Sequence, residues 1–284
     1  MIPPSDDSIE FGRYDESAIP EHLFDQATQE LSNYFVSFSV DDRPSGSATL
    51  VTIDGNCGFL TAAHVVDDWS ESAANCIAVV CAPHVHQLML PTQHIDVTRY
   101  GPSRDPFLGP DLAFVRINDT RCLGALRARK SFYPLSSSYH PEIFEQVEPR
   151  PCAICFVAGA PAEMAREEGV RRTRSHLLTS IHFFGRAQVA QEFSSNGFAY
   201  LKLDMLAGRS GFPSDYRGVS GGGVWHIPLA LDSEAGISSL RTERPELIGV
   251  AFCQSDLADG SRTIYAHGIT SVYSAICRRQ SASS

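Results

Sequence analysis

The stretch Gly218-Val219-Ser220-Gly221-Gly222 places a serine between glycines, where the chain can turn tightly. Two further stretches precede it, Thr61-Ala62-Ala63-His64 and then Asp111-Leu112-Ala113-Phe114-Val115. Each stretch alone is a weak signal, because such a serine is commonly a turn residue, such a histidine a core residue and such an aspartate a strand-end cap. Together, in this order, they supply a nucleophile, a base to activate it and a group to hold that base. Hydrolysis of an amide by an activated serine uses this set.

The residue types indicate a role for each position. Ser220 is the candidate nucleophile, and His64 is the candidate general base and then general acid. Asp111 would hold the imidazole tautomer and stabilise its charged form. The backbone N–H groups of Gly218 and Ser220 would form the oxyanion hole. Glycine suits position 218 because a tight loop there often needs a positive φ.

On these segments the chain resembles the chymotrypsin-like (trypsin-fold) serine proteases, in particular their bacterial trypsin-like and high-temperature-requirement-type branches. The chain order His, Asp, Ser is that of this family and not of subtilisins or α/β-hydrolases. Phe156-Val157-Ala158-Gly159-Ala160-Pro161 is similar to the turn that opens the second barrel, and Ile248-Gly249-Val250-Ala251 to the strand beside the substrate. The resemblance covers roughly residues 34–278 and implies a serine endopeptidase that acts on selected protein or peptide substrates.

The resemblance implies an all-β fold of two six-stranded antiparallel β-barrels, with a short N-terminal helix and a C-terminal helix. Strand-like runs agree with it, seven between Tyr34 and Ile117 and six between Ala153 and His267. Thr270 is expected to cap the C-terminal helix. The N-terminal helix is predicted by the helical spacing of Leu23, Phe24, Ala27 and Leu31.

The chain is accordingly expected to divide into five parts. They are an N-terminal extension and short helix (residues 1–33), a first β-barrel with His64 and Asp111 (34–118), an inter-barrel connection (119–150), a second β-barrel with Ser220 and the oxyanion hole (151–269), and a C-terminal helix and tail (270–284).

Composition and charge argue against several function classes. The net charge of −10 disfavours general nucleic-acid binding, which needs a basic surface. No apolar run approaches the roughly 20 residues of a membrane-spanning helix, so no membrane partner is expected. No phosphate-binding loop or dinucleotide fingerprint occurs, so no cofactor is expected.

The N-terminus and the cysteines predict a cytoplasmic protein. The first residues, Met1-Ile2-Pro3-Pro4-Ser5-Asp6-Asp7, lack the basic start and apolar core of a secretory signal. Extracellular members of the resembled family have a disulfide-bonded cysteine directly beside the catalytic histidine, where this chain has Val65. Most of the eight cysteines lie in apolar runs, where a free thiol behaves as a small hydrophobe. We therefore expect reduced thiols.

The residue before the nucleophile bears on activation. Digestive members of the resembled family pair a newly cut N-terminus with an aspartate at this position. Val219 stands there instead, so that salt bridge cannot form. We expect a site that is formed constitutively, or one that is ordered by loops, an activating partner or substrate.

The side-chain specificity stays open at this point. In trypsin-type enzymes the aspartate that selects Arg or Lys lies six residues before the nucleophile. Here that position is Ser214, and Asp215 follows it. Asp215 could select a basic side chain, or it could point outward and leave a pocket for a small or medium apolar side chain. The offset from the resembled family puts the pocket wall at Phe252, Cys253 and Gln254.

Three other interpretations are compatible with the sequence. The same glycine-rich stretch fits the nucleophile turn of an α/β-hydrolase esterase, with Asp256 or Asp259 and then His267 as partners. A protease fold could also be catalytically dormant and act as a binding or regulatory module. The third interpretation is a metal site with Cys81, His84, His86 and His94 as donors. No complete ligand spacing occurs, so no bound metal is expected.

Overall fold

The computed structural model describes residues 19–71, 75–82, 86–101, 109–135, 153–169, 176–179, 182–209, 211–231 and 240–278. The predicted N-terminal extension before residue 19, residues 136–150 of the predicted inter-barrel connection and the tail after residue 278 lie outside these residues. His84 also lies outside them.

The first half of the chain forms one sheet of eight strands. They are β1 (Phe35–Val40), β2 (Arg43–Ile53), β3 (Asn56–Thr61), β4 (Cys76–Ala82), β5 (His86–Pro91), β6 (Ile95–Arg99), β7 (Ala113–Ile117) and β8 (Tyr133–Pro134). Their order is β5-β4-β1-β2-β3-β7-β6, with β8 parallel to β2 and the other pairs antiparallel. The β2–β3 hairpin turns at Asp54 and Gly55, which have φ values of 49° and 78°. This is the sequence and backbone signature of a tight two-residue turn.

The second half forms a second sheet of eight strands and a separate strand pair. The strands are β9 (Ala153–Gly159), β10 (Arg166–Gly169), β11 (His176–Thr179), β12 (Phe183–Arg186), β13 (Gln188–Ser195), β14 (Phe198–Leu206), β15 (Gly223–Leu231), β16 (Leu240–Thr242), β17 (Glu246–Gln254) and β18 (Ser261–Gly268). The sheet order is β12-β9-β15-β17-β18-β14-β13, with β16 beside β15, and β10 pairs only with β11 among the described strands. All of these pairs are antiparallel.

Four α-helices accompany the sheets in the described residues. They are α1 (Glu21–Ser32), α2 (Ala63–Glu71), α3 (Thr120–Arg127) and α4 (Ile269–Arg278). Asp119 begins α3 by accepting hydrogen bonds from the N–H groups of Arg121 and Cys122. None of the described helices is long and apolar enough to cross a membrane.

One apolar cluster joins the two sheets. Trp225 of β15 is buried, and its ring stacks on Tyr34 with centroids 5.6 Å apart. Tyr133 of β8 meets the edge of the same indole at 5.2 Å. The buried faces of α1 and α4 join this cluster, including Phe24 and Tyr273. The core therefore fixes the first sheet against the second, and the loops at their junction are held from both sides.

Two antiparallel sheets and few helices are consistent with the two β-barrels of the chymotrypsin-like fold, and the predicted fold class is confirmed. Each sheet carries eight strands where six are predicted per barrel, because short pieces such as β8 and β16 extend the sheets. All seven strand-like runs of the first half are strands. Helix α4 begins at Ile269, so Thr270 lies inside its first turn and not at its cap.

The sequence patterns missed α2, α3, β8, β10, β13 and β16. Strand β13 shows no apolar alternation because it is an edge strand whose side chains are mostly exposed.

Candidate active site

Asp111 and His64 lie at the centre of the site. Asp111 precedes β7 and its side chain is 2% exposed, whereas that of His64 is 35% exposed. Asp111 Oδ2 lies 2.5 Å from His64 Nδ1, and Oδ1 accepts the backbone N–H of His64 at 2.9 Å. His64 is the second residue of α2, so the carboxylate satisfies an N–H that has no partner within the helix. Because a carboxylate only accepts, the proton lies on Nδ1 and Nε2 keeps a free lone pair.

The electrostatic surroundings make His64 a stronger base. Burial lowers the pKa of His64, but the hydrogen bond to Asp111 and the negative charges of Asp111, Asp68 and Asp67 raise it. The net effect is a pKa above the ordinary value for histidine. The imidazole is therefore able to accept a proton and to hold it next to a buried carboxylate.

Ser220 lies beside this pair, in the loop before β15. Its hydroxyl donates to the carbonyl oxygen of Phe252 at 3.2 Å, and it makes no hydrogen bond to His64, both residues being described. The carbonyl of Ser220 accepts the N–H of Ser47 at 2.9 Å. A Cβ on Gly46 would lie 3.3 Å from that carbonyl and 2.7 Å from a methyl of Val65, which follows His64. Gly46 and Ser47 of β2 therefore lie against Ser220, and Gly46 also lies against the residue that follows His64.

Two N–H groups around Ser220 are left without an acceptor in the described part of the chain. The carbonyl of Arg217 accepts from Ala162 N at 2.7 Å, and that of Val219 from Gly222 N at 2.8 Å. In a trans peptide the N–H points opposite to the carbonyl, so the N–H groups of Gly218 and Ser220 point away from these donors. Within the described part of the chain neither N–H reaches an acceptor. Gly218 has φ +95°, and a Cβ there would lie 2.5 Å from Ala160 O, so glycine is required.

One buried serine from the first sheet fixes this loop. Ser47 Oγ donates to Gly218 O at 2.7 Å and accepts from Ala160 N at 3.0 Å. The carbonyl of Ser47 accepts the hydroxyl of Thr61 at 2.7 Å. Ser47, which lies in β2 of the first sheet, therefore holds the peptide group between Gly218 and Val219 through the carbonyl oxygen of Gly218.

Replacing Ser47 by alanine should lower the free energy of unfolding by about 1–3 kcal/mol, because Gly218 O and Ala160 N would be buried without partners. Ser37 provides a matched control. It is also fully buried, it faces Ser47 across the β1–β2 pair, and its hydroxyl has no partner among the described residues. Urea unfolding should therefore show little change for Ser37→Ala. Equal losses in the two variants would contradict the role given to Ser47.

The segment before Gly218 is held by carboxylates. Glu163 accepts from the hydroxyl of Ser214 at 2.6 Å and from the backbone N–H groups of Ser214 and Asp215. These bonds hold the pKa of Glu163 below its usual range. Asp215 accepts from Gln254 Nε2 at 2.7 Å and from Arg217 Nε at 2.6 Å. Burial raises the pKa of Asp215, but these bonds outweigh it and the net pKa is lowered.

Val219 takes part in packing and not in an ion pair. It is buried, and a Cβ on Gly159 would come within 2.6 Å of its methyl groups. The loop is thus held by Ser47, Glu163 and Asp215 without a carboxylate at position 219.

A cavity of about 260 Å³ opens next to Ser220. Its lining residues are Tyr216, Arg217, Val219, Ser220, Ala251, Phe252, Cys253, Gln254 and Ile264. Burial, together with the nearby charge of Asp111, raises the pKa of Cys253 to about 12, so this thiol is neutral. The Tyr216 hydroxyl donates to Leu206 O at 2.5 Å and is not free for a ligand.

The structure brings together most of the residues singled out from the sequence. His64, Asp111, Gly218 and Ser220 meet at the sheet junction, and Phe252, Cys253 and Gln254 line the cavity beside Ser220. Ser214 and Asp215 do not line that cavity, because their polar groups are engaged by Glu163, Arg217 and Gln254. Sequence reasoning missed Ser47, Glu163 and the contact that His267 makes to Asp111, because the partner in each case is distant in the sequence.

The described residues contain no group of three His, Cys, Asp or Glu side chains that could hold a metal ion. Six of the cysteines are free thiols in the structure: Cys57, Cys76, Cys81, Cys122, Cys155 and Cys253.

Comparison with known proteins gives structural likeness only. No protein-family model matches the chain, and neither does any curated protein. Among solved structures the chain is similar to the HtrA-type protease AlgW with tripeptide, at 14% identity over 88% of this chain and 61% of that one, with a TM-score of 0.42. It is also similar to Deg5 (16% identity, 89% and 92% covered, TM-score 0.43) and to the serine endoprotease from Yersinia pestis (14%, 90% and 65%, 0.45).

The chain thus spans less than two thirds of the AlgW and Yersinia chains. Likeness at these identities and TM-scores assigns neither a family nor an activity to this chain.

Proposed function

We propose that this protein is a serine endopeptidase, with Ser220 as nucleophile, His64 as base and Asp111 as the group that orients it. One observation carries the proposal. An imidazole is bonded through Nδ1 to a buried carboxylate. Gly46 lies against both Ser220 O and the residue after His64, and the N–H groups of Gly218 and Ser220 have no acceptor in the described part of the chain. A packing role alone would not require a loop that leaves two donors unpaired.

The geometry supports a stepwise acyl transfer. Rotation of the Ser220 side chain moves its hydroxyl from Phe252 O toward His64 Nε2. As Ser220 attacks the peptide carbonyl, His64 takes its proton, and the N–H groups of Gly218 and Ser220 stabilise the oxyanion. His64 then gives the proton to the leaving amine, and an acyl-enzyme on Ser220 forms. Water, deprotonated by His64, releases the acyl group and regenerates the hydroxyl.

The bond from Ser220 to Phe252 favours a second candidate, a dormant protease fold that acts as a binding or regulatory module. The size of the effect supports the peptidase. One neutral hydrogen bond contributes about 0.5–1.5 kcal/mol net, which substrate binding can offset when the hydroxyl turns. The esterase alternative is weaker, because an α/β-hydrolase needs a parallel sheet and β2–β8 is the one parallel pair in the described strands.

A fluorophosphonate probe tests the proposal directly, because it phosphonylates serines that a neighbouring base activates. We expect peptide mass spectrometry to find the label on Ser220 of the folded protein, with none after heat denaturation or in Ser220→Ala. A folded wild-type protein that stays unlabelled would favour the dormant module. Label on another serine would overturn the assignment of Ser220.

We further propose that the cavity beside Ser220 binds an apolar side chain of the substrate. Its lining contains no carboxylate and includes the cationic residue Arg217. Asp215, the candidate for binding Arg or Lys, is committed to Arg217 and Gln254. A lysine or arginine in this cavity would be desolvated without a partner, which costs several kcal/mol. Ala251, Val219 and Ile264 instead offer apolar contacts.

Peptide substrates with Leu or Val at the cleaved position should therefore show kcat/KM values about 10²-fold or more above those with Arg or Lys. Replacing Ile264 by alanine should widen the cavity. The kcat/KM for a substrate with Phe at the cleaved position, divided by that for a substrate with Val, should then rise about tenfold. Asp215→Asn should keep the apolar preference. A wild-type preference for Arg or Lys that disappears in Asp215→Asn would reverse the assignment.

A further inference from the structure

His267 is a buried histidine that the proposed reaction does not use. It belongs to β18 and is fully buried. Its ring stacks on that of Phe252 with centroids 4.3 Å apart and planes at 20°, and lies 5.4 Å from the ring of Tyr200. The packing therefore fixes the plane of the imidazole. Phe252 is also the residue whose carbonyl holds the hydroxyl of Ser220.

The polar contact of His267 is with the backbone of Asp111. The N–H of Asp111 donates to His267 Nε2 at 3.0 Å. An accepting nitrogen carries no proton, so the neutral ring must carry its proton on Nδ1. Nδ1 is buried and has no partner among the described residues. A donor left unpaired in a core costs about 1–3 kcal/mol. The hydrogen bond at Nε2 forces the proton onto the unpaired Nδ1, so this hydrogen bond must have a role that offsets the cost.

The reason lies in the position of Asp111 along the chain. Asp111 comes before β7 begins at Ala113, so no strand pairing holds its N–H. Both of its carboxylate oxygens bond to His64, while its backbone is held from the second sheet by His267. Sliding of this backbone would displace the carboxylate and, with it, the imidazole of His64.

We propose that His267 is a positioning residue that fixes Asp111 against His64 by accepting its backbone N–H. Its catalytic meaning rests on the proposed function, but the positioning itself does not. The charged groups around His64 are Asp111, Asp67 and Asp68, and those around His267 are Asp111 and His64. Burial and His64 lower the pKa of His267 to about 4 against the opposing charge of Asp111, so the ring stays neutral between pH 5 and pH 8.

The test uses two variants of His267 in the full chain. Leucine removes the acceptor, whereas the carbonyl oxygen of glutamine can replace Nε2. NMR titration of His64 should show its pKa falling toward the ordinary value in His267→Leu and staying near wild type in His267→Gln. The kcat on a peptide substrate should fall about 10²-fold in His267→Leu with KM unchanged, as expected for a misplaced base, and His267→Gln should restore most of it.

Controls keep the outcome decisive. His226→Leu removes a half-buried histidine of β15 that does not touch Asp111, and should leave the His64 pKa unchanged. If His267→Leu does not fold, His267→Asn takes its place, because its shorter amide cannot reach Asp111 while His267→Gln can. A folded Leu or Asn variant with wild-type His64 pKa would overturn the inference, as would ¹⁵N shifts that put the wild-type proton on Nε2 of His267. An inactive wild type would refute the proposed function alone, since the His64 titration still reports on the positioning.

Discussion

Replacing Ser220 by alanine should lower kcat for peptide hydrolysis by about 10⁶-fold, and His64→Ala should lower it by a similar factor. The double variant should be no worse than either single one. The reason is that the two side chains act in one step. Without the hydroxyl no acyl-enzyme forms, and without Nε2 of His64 no group removes the hydroxyl proton near neutral pH. Residual hydrolysis would come from the N–H groups of Gly218 and Ser220, which these variants retain.

Single-turnover kinetics on one peptide substrate would measure these losses. Ser37→Ala serves as the control, because it removes a buried hydroxyl that has no partner among the described residues. Urea unfolding should confirm that all variants fold. Losses that multiply in the double variant would mean that Ser220 and His64 act independently, and the proposed triad would then be wrong.

The sequence predicted the candidate site residues whose signals are local. His64 and Ser220 each stand in a short stretch whose neighbours identify them, small residues before the histidine and glycines around the serine. The strand runs were recognisable for the same reason, because apolar alternation and turn residues such as Asp54-Gly55 are local signals. The predicted helix near residues 20–33 follows from apolar spacing and is present as α1.

Residues that act across the sheet junction could not be predicted. Ser47 and Gly218 are separated by 171 residues, and His267 and Asp111 by 156. A serine in a strand and a histidine near a strand end carry no mark of such partners, because register and sheet packing decide which side chains meet. Glu163 is a similar case, since its bonds to Ser214 depend on how the loops after β9 and β14 fold together.

The two sheets hold each other's part of the site. Ser47, from the first sheet, fixes the loop that carries Gly218 and Ser220 in the second. His267, from the second sheet, fixes Asp111 in the first. A shift of one sheet against the other would therefore disturb both the oxyanion donors and the base. The continuous core around Trp225 resists such a shift.

Replacing Asp111 by asparagine should lower kcat by about 10⁴-fold while the fold is kept. The asparagine oxygen can still accept the backbone N–H of His64, as Asp111 Oδ1 does. The amide nitrogen would stand where Oδ2 faces His64 Nδ1, and it donates where the carboxylate accepts. The imidazole would then carry its proton on Nε2, which is the nitrogen that must accept the proton of Ser220.

The pH profile gives this prediction a second readout. Activity needs neutral His64, whose pKa is raised in the folded protein because Asp111 outweighs the effect of burial. Wild-type kcat/KM should thus fall as the pH drops through a value above the ordinary histidine pKa. In Asp111→Asn burial remains and the bond and charge of Asp111 are lost, so the acid limb should move to lower pH, with Asp67 and Asp68 limiting the shift. Asp96→Asn, an exposed substitution on β6, should leave the acid limb in place. An acid limb in Asp111→Asn identical to that of wild type would mean that Asp111 does not control the protonation of His64.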